Sequence, residues 1–598
     1  MVLTAQGGTR MYELGLIGNC QAAALVGRDG SIDWMCLPRP DSPPVFGRLL
    51  DPQGGHFSIA PARPGTSSQR YLESTNILET IHEDAEGNRF AVIDFFPRFE
   101  QFGRIYRPLM LMRKVVPLSG VPKITVEIQP VQGWSKEPAP LQRGSSHVRF
   151  RGLDDELRLS TSMPLTQLLS GTYAMLSVPL YFILTWGVPP DDDLATLVET
   201  FQLRTEQWWR TWVMGCNTPV LFQREVIRSA LALKLHCFEE TGAVLAAITT
   251  SLPEIVGDVR NWDYRFCWLR DAYFTVSAIH RLGHFEELEG ILRFMFDVIH
   301  RENVGRLHPV YRVDGTRPLP ETERTNWAGY RGSKPVRTEN QAAEHVQNDV
   351  YGQMLMMLSR LYFDERFAHL RSRHYDELLA TLAARCLDTL DEPDAGLWEL
   401  RGDWKPHTYT AMMSWTALDR YTRLIGMGRI RGDAVQIAGW RDTARRAVER
   451  AVSDGVLWSA PGHRTADSAL LLLPTLGFPD RELCERTVDH IAKDLAWGGD
   501  PASGFYYRYR HHDDFGTPKH PFLICSFWMA EALARLGRVD EGRAVLTKAL
   551  GAANAVGLFA EHFDPTGATQ SGNFPQCYSH VGLIMSAFAV SPSWHTVL

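Results

Sequence analysis

The change of fold along this chain is marked by Tyr181-Phe182-Ile183-Leu184-Thr185-Trp186, a strand-like run that Pro189-Pro190-Asp191-Asp192-Asp193 follows. Earlier in the chain, short apolar runs alternate with Gly, Pro, Asn and Asp, which is typical of short strands joined by turns. Later in the chain, a helical stretch reaches about residue 212 and precedes apolar residues at three- and four-residue spacing. We therefore predict an N-terminal β-sandwich over residues 1–189, a helical linker over 190–219 and a helical domain over 220–598.

The helical domain is predicted to contain twelve helices, near residues 222–240, 264–282, 284–300, 343–363, 373–390, 407–425, 431–454, 465–475, 479–494, 520–537, 539–552 and 575–590. Twelve helices in antiparallel pairs fit an (α/α)6 barrel with two concentric layers, although other helical arrays give the same pattern. Long loops at one end of such a barrel would build a funnel-shaped site. Five loops are long enough to favour function over simple connection, namely 241–263, 301–342, 391–406, 495–519 and 553–574.

Composition excludes several classes of protein. The 598 residues carry a net charge of −7 with no long basic run, which argues against a nucleic-acid partner. The nine cysteines contain no Cys-x-x-Cys and read as reduced thiols, not as disulfides or a zinc site. Met1 to Gly18 lacks a signal-peptide pattern, and no apolar stretch reaches about 18 residues. We expect a cytoplasmic protein without a membrane segment; whether it forms a homo-oligomer stays open.

Two glutamates carry the strongest chemical signal. Glu399 lies in Gly396-Leu397-Trp398-Glu399-Leu400-Arg401-Gly402, and Glu561 lies in Gly557-Leu558-Phe559-Ala560-Glu561-His562-Phe563-Asp564-Pro565. Each follows a short apolar run, so each could project from the end of a buried element into a loop-built cavity. Hydrolysis of an acetal needs one protonated carboxyl and one ionised carboxylate. The alternative is that both are solvated loop residues.

The neighbours of the two glutamates suggest their roles. The ring of Trp398 can shield Glu399 from water and so raise the pKa of its carboxyl, which would suit a general acid and adds Trp398 to the candidate sugar contacts. Glu561 has His562 and Asp564 beside it, a wetter and more polar setting that would suit a general base.

A third signal is a stretch dense in arginine, aspartate and aromatic residues, where a loop enters a helix. Guanidinium and carboxylate groups suit vicinal sugar hydroxyls, and aromatic rings suit the apolar face of a hexose. A structural network that caps the helix is the alternative. The candidate sugar contacts in this stretch, residues 257–272, are Arg260, Trp262, Asp263, Arg270 and Asp271.

Four further candidates are weaker. Gln576 and His580 lie four apart on one face of a helix that Pro575 opens, and either a substrate contact or a satisfied core position fits them. Tyr311 and Trp327 lie in the loop 301–342 and could close one wall of a pocket, although an ordinary solvated loop is equally plausible for most of its residues. We find no Gly-rich phosphate loop and no spaced set of metal ligands, so we predict neither a cofactor nor a metal.

These motifs together resemble family 15 of the glycoside hydrolases, the glucoamylase and bacterial trehalase family, over nearly the whole chain. The N-terminal part of the resemblance rests on Leu14-Gly15-Leu16-Ile17-Gly18-Asn19 and Gly30-Ser31-Ile32-Asp33-Trp34. The C-terminal part rests on Asn261-Trp262-Asp263-Tyr264-Arg265, Trp268-Leu269-Arg270-Asp271-Ala272, Leu397-Trp398-Glu399, Ala560-Glu561 and Gly572-Asn573-Phe574-Pro575-Gln576 with His580.

The resemblance implies an exo-acting hydrolase of α-glucosides that inverts the anomeric carbon. It implies that Glu399 is the general acid, that Glu561 is the general base, and that Arg270 and Asp271 hold the outer hydroxyls of the non-reducing glucose. Inversion predicts a separation of roughly 6.5–9.5 Å between the two carboxyl groups.

The chain also departs from the glucoamylase pattern. Fungal glucoamylases carry a second glutamate after the acid, where this chain has Leu400. Trehalose is therefore slightly preferred as the substrate over malto- or isomalto-oligosaccharides. Two alternatives remain: a phosphorylase, against which Glu561 argues, and a carbohydrate-binding protein that has lost catalysis.

Overall fold

The computed structural model of the protein describes residues 12–190, 192–302 and 305–598. The first eleven residues of the predicted N-terminal domain and Asp191 of the predicted linker lie outside the described residues.

The N-terminal part is built from strands, as the alternation of apolar and turn-forming residues predicts. Its described strands are β1 (Leu14–Gly18), β2 (Ala23–Gly27), β3 (Ser31–Cys36), β4 (Pro44–Phe46), β5 (His56–Pro61), β6 (Gly65–Tyr71), β7 (Leu78–Asp84), β8 (Arg89–Phe95), β9 (Phe99–Gln101), β10 (Arg104–Tyr106), β11 (Met110–Ser119), β12 (Lys123–Gln129), β13 (Leu141–Arg143), β14 (His147–Phe150), β15 (Leu157–Thr161), β16 (Ala174–Met175) and β17 (Leu180–Trp186). One sheet runs β1-β2-β3-β5-β12-β16, with β4 on β3, and the other runs β13-β14-β15-β17-β11-β8-β7-β6.

The two sheets pack face to face around a shared core. The ring of Phe57 on β5 lies 6.2 Å from that of Phe182 on β17, edge to face. Arg113 on β11 is fully buried between the sheets, where it pairs with Asp94 at 2.7 Å. It also donates to the carbonyl of Phe57 on the opposite sheet, so both its charge and its donors are satisfied inside the core.

A long helix links the sheets to the second domain. After the short helix α1 (Leu165–Ser170), helix α2 spans Leu194–Met214, and Asp193 caps it by accepting a hydrogen bond from the backbone N–H of Thr196. Its buried Trp212 donates to Glu287 of the helical domain at 2.8 Å, which fixes the linker to that domain.

The remaining described residues are mainly helical. The helices are α3 (Gln223–His236), α4 (Leu269–Leu282), α5 (Phe285–Arg301), α6 (Asp349–Leu358), α7 (Arg360–Phe363), α8 (Arg373–Asp388), α9 (Thr408–Gly426), α10 (Ala434–Glu449), α11 (Leu472–Leu476), α12 (Arg481–Asp494), α13 (Leu523–Arg535), α14 (Val539–Leu550) and α15 (Cys577–Val590). Short strand pairs join them, namely β18 (Cys237–Phe238) with β19 (Ala243–Val244), β20 (Cys267–Trp268) with β21 (Val310–Tyr311), β22 (Thr322–Glu323) with β23 (Arg337–Thr338), β24 (Val452–Ser453) with β25 (Val456–Leu457), and β26 (His562–Asp564) with β27 (Thr569–Ser571).

Six of these helices contact one another in a closed cycle. Helix α4 packs on α6, α6 on α9, α9 on the 3₁₀ turn before α11, α11 on α13, α13 on α15, and α15 on α4. The other long helices lie outside this cycle: α3 on α15, α5 on α4, α8 on α6, α10 on α9, α12 on α13, and α14 on α13. Each of the twelve predicted helical segments contains at least one helix.

Three predicted segments become α-helical five or more residues late, namely 264–282 at α4, 343–363 at α6 and 465–475 at α11. The first of them has a clear physical reason. The segment 264–282 becomes helical only at Leu269, because Trp268 pairs with Val310 across β20 and β21. The carbonyl of Tyr264 also accepts from the backbone N–H of Ala247. The extended residues before α4 are thereby available to line a cavity.

No helix within the described ranges is long and apolar enough to cross a membrane.

Candidate active site

Two adjoining cavities lie where the inner helices α4, α6, α13 and α15 begin. The inner cavity has a volume of about 470 Å³, including space open to solvent, and is lined by Ala246, Tyr264, Trp268, Arg270, Asp271, Leu397, Trp398, Glu399, Arg508, Phe522, Glu561, Gln576 and Tyr578. The outer cavity has a volume of about 540 Å³, again including space open to solvent, and is lined by Arg260, Trp262, Tyr264, Asn340, Ala342, His345, Trp398, Glu399, Leu400, Arg401, Arg508, Tyr509, Asp513, Asp514 and Phe515. Four residues belong to both, namely Tyr264, Trp398, Glu399 and Arg508, so the cavities share a boundary.

Glu399 stands at this boundary on a constrained loop. Its φ of +61° is in the left-handed region that side chains other than glycine rarely adopt, and such strain is common at functional sites. Its carboxylate Oε1 accepts hydrogen bonds from the indole of Trp268 at 2.6 Å and from the guanidinium of Arg270 at 3.1 Å. The amide of Gln347 adds a third donor at 3.3 Å. The carboxylate is therefore oriented by three donors.

Glu561 lines only the inner cavity. Its Oε1 accepts from the hydroxyl of Tyr264 at 2.9 Å, and its Oε2 lies 3.5 Å from Nδ1 of His562. Gly572 leaves the room for it, because a Cβ at that position would lie 2.7 Å from Oε2 of Glu561. The φ of Gly572 is +80°, so a glycine suits both the backbone and the contact.

The expected difference in exposure between the two carboxyl groups is wrong. Glu561 was predicted to be the wetter group, but its side chain is 5% exposed, whereas that of Glu399 is 20% exposed. Trp398 was predicted to shield Glu399, and this stays a prediction: its indole donates to Asp467 at 2.8 Å, and the residue lines both cavities together with Glu399.

Arg270 and Asp271 begin helix α4 at the floor of the inner cavity. Their side chains form an ion pair at 3.3 Å. Burial raises the pKa of Asp271 to about 6, an effect that the guanidinium of Arg270 opposes. Among the described residues, Nε of Arg270 and the hydroxyl of Tyr578 are buried without a hydrogen-bond partner, and Oδ2 of Asp271 has only the ion pair with Arg270. Buried polar atoms normally have hydrogen-bond partners, so the floor of this cavity is suited to a polar ligand.

Three other predicted residues also line the cavities. Arg260 and Trp262 lie in the outer cavity, where Arg260 pairs with Asp513 and the ring of Trp262 lies 5.2 Å from that of Phe515. Gln576 lies in the inner cavity, and its side-chain oxygen accepts from the hydroxyl of Ser579.

Asp263 and His580 do not line either cavity. Asp263 is fully buried and forms a two-point ion pair with Arg265. It therefore belongs to a structural Arg–Asp network, which was the alternative to sugar binding for this stretch. His580 is also fully buried, and its ring is within hydrogen-bond distance of the hydroxyl of Ser229. Burial holds the pKa of His580 well below its ordinary value, as expected of a satisfied core histidine.

Tyr311 and Trp327 also lie away from the cavity walls, so their prediction as wall residues is wrong. The hydroxyl of Tyr311 accepts from the backbone N–H of His308 within its own loop. Trp327 is fully buried against the N-terminal domain, where its indole donates to the carbonyl of Trp134 at 2.9 Å. Both side chains hold the loop in place instead of meeting a ligand.

Sequence reasoning missed several wall residues. Tyr264 and Trp268 lie inside the stretch that was singled out, but nothing in their spacing distinguished them from core aromatics. Arg508 lies in the long loop 495–519 and had no signal beyond the length of that loop. It is almost buried, donates to Glu254 at 3.0 Å and has an unpartnered Nε among the described residues, and it lines both cavities.

The chain matches two protein-family models. Residues 222–588 match "Glycosyl hydrolases family 15", and residues 2–164 match "Trehalase-like, N-terminal". The chain belongs to glycosyl hydrolase family 15. The two glutamates and the Arg270–Asp271 pair all lie within the matched family 15 region.

Curated relatives of this family 15 chain include trehalases of archaea and bacteria. A trehalase of Thermoplasma volcanium is 30% identical over 98% of this chain and 94% of that protein. A trehalase of Mycolicibacterium smegmatis is 31% identical over 96% of this chain and 88% of that protein. A solved bacterial glucoamylase in complex with acarbose has the same fold, with a TM-score of 0.66 at 13% identity, over 98% of this chain and 94% of that one.

Proposed function

We propose that this protein is an inverting, exo-acting hydrolase of small α-glucosides, with α,α-trehalose as its preferred substrate. The observation that supports this most directly is the position of the two carboxylates. Glu399 lines both cavities, whereas Glu561 lines the inner one alone. A disaccharide with one ring in each cavity has its glycosidic oxygen at the boundary, beside Glu399, and its anomeric carbon on the inner side, within the walls that Glu561 helps to form.

In this arrangement Glu399 acts as the general acid. Its carboxyl protonates the glycosidic oxygen as the bond to the anomeric carbon breaks, and the second sugar leaves as an alcohol. The three donors on Oε1 fix the orientation of the carboxyl and leave Oε2 available to carry the proton.

Glu561 acts as the general base. It removes a proton from a water molecule, and that water attacks the anomeric carbon from the face opposite the leaving sugar, which inverts the configuration. The hydroxyl of Tyr264 holds the carboxylate in position for this step. The predicted carboxyl separation of roughly 6.5–9.5 Å stays a prediction and belongs to the same proposal.

The glucose in the inner cavity is held by the floor of that cavity. Nε of Arg270, the carboxylate of Asp271 and the hydroxyl of Tyr578 can exchange hydrogen bonds with its outer hydroxyls, and Nε of Arg508 can donate at the boundary. A floor that satisfies the far end of a single sugar suits exo-attack, because no chain can continue beyond it.

We further infer that the helical domain is an (α/α)6 barrel, and that the domain boundaries lie near residues 189 and 219. The closed cycle of α4, α6, α9, α11, α13 and α15, with six further long helices packed outside it, supports the barrel. The change from strand to helix between Trp186 and Leu194 supports the first boundary.

We also infer a reducing compartment such as the cytoplasm. All nine cysteines are free, and eight of them are buried. An oligomeric state and the identity of any partner other than a carbohydrate stay predictions.

The test is incubation of the purified protein with trehalose, maltose, isomaltose and soluble starch, followed by proton NMR of the released glucose. We expect trehalose to be cleaved fastest and to release equal amounts of two anomers before mutarotation equilibrates them, β-glucose from the inverted ring and α-glucose from the leaving ring. Release of α-glucose alone from trehalose would overturn inversion, and glucose 1-phosphate formed only with phosphate would indicate a phosphorylase. Preferential cleavage of maltose or starch would indicate a glucoamylase, and no product from any substrate would favour a binding protein.

A further inference from the structure

The outer cavity becomes more exposed with distance from the boundary at Glu399. At the boundary Arg508 is buried and Tyr264 is half-buried, whereas Arg401 is about a quarter exposed and Asp514 is exposed. Arg401 and Asp514 therefore mark the rim through which a substrate enters. A leaving group that is longer than one sugar ring would have to pass this rim.

Arg401 ties three separate loops together at this rim. Its guanidinium donates twice to the carboxylate of Glu321, at 2.9 and 3.0 Å, which joins the loop of the general acid to the loop 301–342. Its backbone N–H donates to Oδ2 of Asp514 at 2.7 Å, which joins the same residue to the loop 495–519. The guanidinium also lies over the ring of Phe515, 5.0 Å from its centroid.

These contacts are well suited to hold the rim in one conformation. Nη2 of Arg401 donates to both carboxylate oxygens of Glu321, and such hydrogen bonds between charged groups are stronger than neutral ones. The side chain of Glu321 is only 13% exposed, so water screens the pair less than it screens a surface pair. The other rim arginine, Arg260, is buried against Asp513 and is already satisfied there.

Arg401 also follows directly on the chain's departure from the glucoamylase pattern. Position 400, next to the general acid, carries Leu400 in place of a glutamate, so no carboxylate from this position can accept hydroxyls of the leaving sugar. The polar groups of this part of the wall come instead from Arg401 and Asp514.

We propose that Arg401, through its ties to Glu321 and Asp514, limits the outer cavity to a single sugar ring and so selects disaccharides over α-glucosides with a longer leaving group. This proposal rests on the proposed function, because it assigns the leaving sugar to the outer cavity. It makes Arg401 a residue that determines specificity and not a catalytic residue.

The experiment compares three substrates with the same reacting glucose. α-Glucosyl fluoride has no sugar on the leaving side, trehalose has one ring, and trehalose that bears one further α-1,4-linked glucose has two rings when its unsubstituted glucose is cleaved. For the wild-type protein, we expect kcat/KM to be at least about 100-fold lower for the extended trehalose than for trehalose, since the rim would have to open. Equal values for these two substrates would overturn the proposal.

Two variants then test the role of Arg401. Arg401→Ala removes all of its side-chain contacts, and Glu321→Gln weakens one tie while it keeps the arginine and the size of its partner. We expect each variant to lower the ratio of kcat/KM for trehalose to kcat/KM for the extended trehalose. For Arg401→Ala, we expect this ratio to fall by at least about tenfold. Because both rates come from one protein sample and one type of bond, partial unfolding cancels from the ratio. A ratio that stays at the wild-type value in both variants would overturn the proposal.

A matched control is Arg373→Ala on the surface of α8, where Arg373 pairs with Glu377 far from the cavities. We expect this variant to keep the wild-type ratio. α-Glucosyl fluoride separates the two levels of the argument: if the wild-type protein does not hydrolyse it, the proposed function fails, whereas hydrolysis with an unchanged ratio contradicts the role of Arg401 alone.

Discussion

The two carboxylates of the inner cavity are held by different kinds of partner. Glu399 accepts from a charged guanidinium and an indole, is partly exposed and has a strained backbone. Glu561 is buried, accepts from the neutral hydroxyl of Tyr264 and lies on unstrained backbone beside Gly572. The difference fits a group that must reach a substrate at the boundary between cavities and a group that must hold one water molecule.

The contrast extends to the carboxylates behind them. Around Glu399, burial raises the pKa of Asp349 to about 7 and that of Asp394 to about 6. Behind Glu561, burial also acts to raise the pKa of Glu254. Arg508, His562 and Arg260 outweigh burial there and lower the pKa of Glu254 to about 2. One wall of the cavity is thus backed by acids that favour the neutral form, and the other by a paired anion.

The largest expected effect separates the roles of Glu399 and Glu561. Glu399→Gln and Glu561→Gln should each lower kcat on trehalose by about 10²- to 10⁴-fold, because each removes one proton-transfer group. On α-glucosyl fluoride, whose leaving group needs little protonation, we expect Glu399→Gln to lose at least about tenfold less activity than it loses on trehalose. Glu561→Gln should lose as much on the fluoride as on trehalose, because both reactions need an activated water.

The control for this comparison is Glu449→Gln, at the exposed end of α10, which should keep wild-type rates on both substrates. If the two active-site variants respond identically to the change of substrate, the division into acid and base is wrong, even if both carboxylates are essential.

The second expected effect concerns the paired anion behind Glu561. Glu254→Gln should lower the free energy of unfolding at pH 7 by about 3 kcal/mol, because Arg508 and Arg260 lose a buried counter-charge. Since the folded-state pKa of Glu254 lies below its ordinary value, its stabilisation is complete above about pH 4.5 and is lost as the pH falls toward 2. Urea unfolding of both proteins at pH 7 and pH 3.5 should therefore show a smaller difference at the lower pH.

A matched buried glutamate should behave in the opposite way. Glu531 on α13 is also buried, but burial raises its pKa, with only partial compensation by Arg535. Glu531→Gln should therefore gain stability relative to the wild type as the pH rises. If both variants lose stability equally at pH 7, the contrast between paired and unpaired carboxylates is not what governs them.

A smaller effect is expected from the hydroxyl that holds Glu561. Tyr264→Phe keeps the ring and its 5.5 Å contact with Trp268 but removes the 2.9 Å hydrogen bond to the carboxylate. We expect kcat to fall by about 10- to 100-fold with a smaller change in KM, since a hydrogen bond to a charged group contributes about 1.5–3 kcal/mol. Tyr506→Phe, which removes a hydroxyl bonded to the carbonyl of Pro501 instead, should leave kcat unchanged.

The sequence was sufficient for the coarse fold because periodicity reports which faces are buried. All twelve predicted helical segments contain helices, and the N-terminal strands follow the alternation of apolar and turn-forming residues. The misplaced start of α4 shows the limit: apolar spacing continues through Tyr264 and Trp268, but long-range pairing with β21 and the segment at Ala247 keeps them extended.

The candidate site was predictable only where a residue's own chemistry gave the signal. Glutamates at the ends of apolar runs and an Arg-Asp pair stand out, and these residues line the cavities. A lone tyrosine or arginine does not stand out in this way, so Tyr264 and Arg508 were missed. Trp327 was predicted to line a pocket because it lies in a long loop, but that loop packs against the N-terminal domain. Whether Glu399 or Glu561 is more exposed depends on residues from distant loops, which local sequence does not encode.

The smallest expected effect concerns Asp349, the acid behind Glu399 whose protonated form is favoured by burial. Asp349 opens α6, is fully buried and accepts from Gln353 at 2.6 Å, and its other oxygen has no hydrogen-bond partner among the described residues. Burial and the nearby Asp394 raise the folded-state pKa of Asp349 to about 7. Its contribution to the free energy of unfolding is therefore most favourable below about pH 4 and is lost as the pH rises through 7. The side chain of the Asp349→Asn variant cannot ionise. In urea unfolding, the free energy of unfolding of this variant should therefore fall by on the order of 2 kcal/mol less than that of the wild type between pH 4.5 and pH 8. Parallel curves for the two proteins would mean that Asp349 ionises in the fold as freely as it does in the unfolded chain, and the contrast between the two walls would then rest on Asp394 and Glu254.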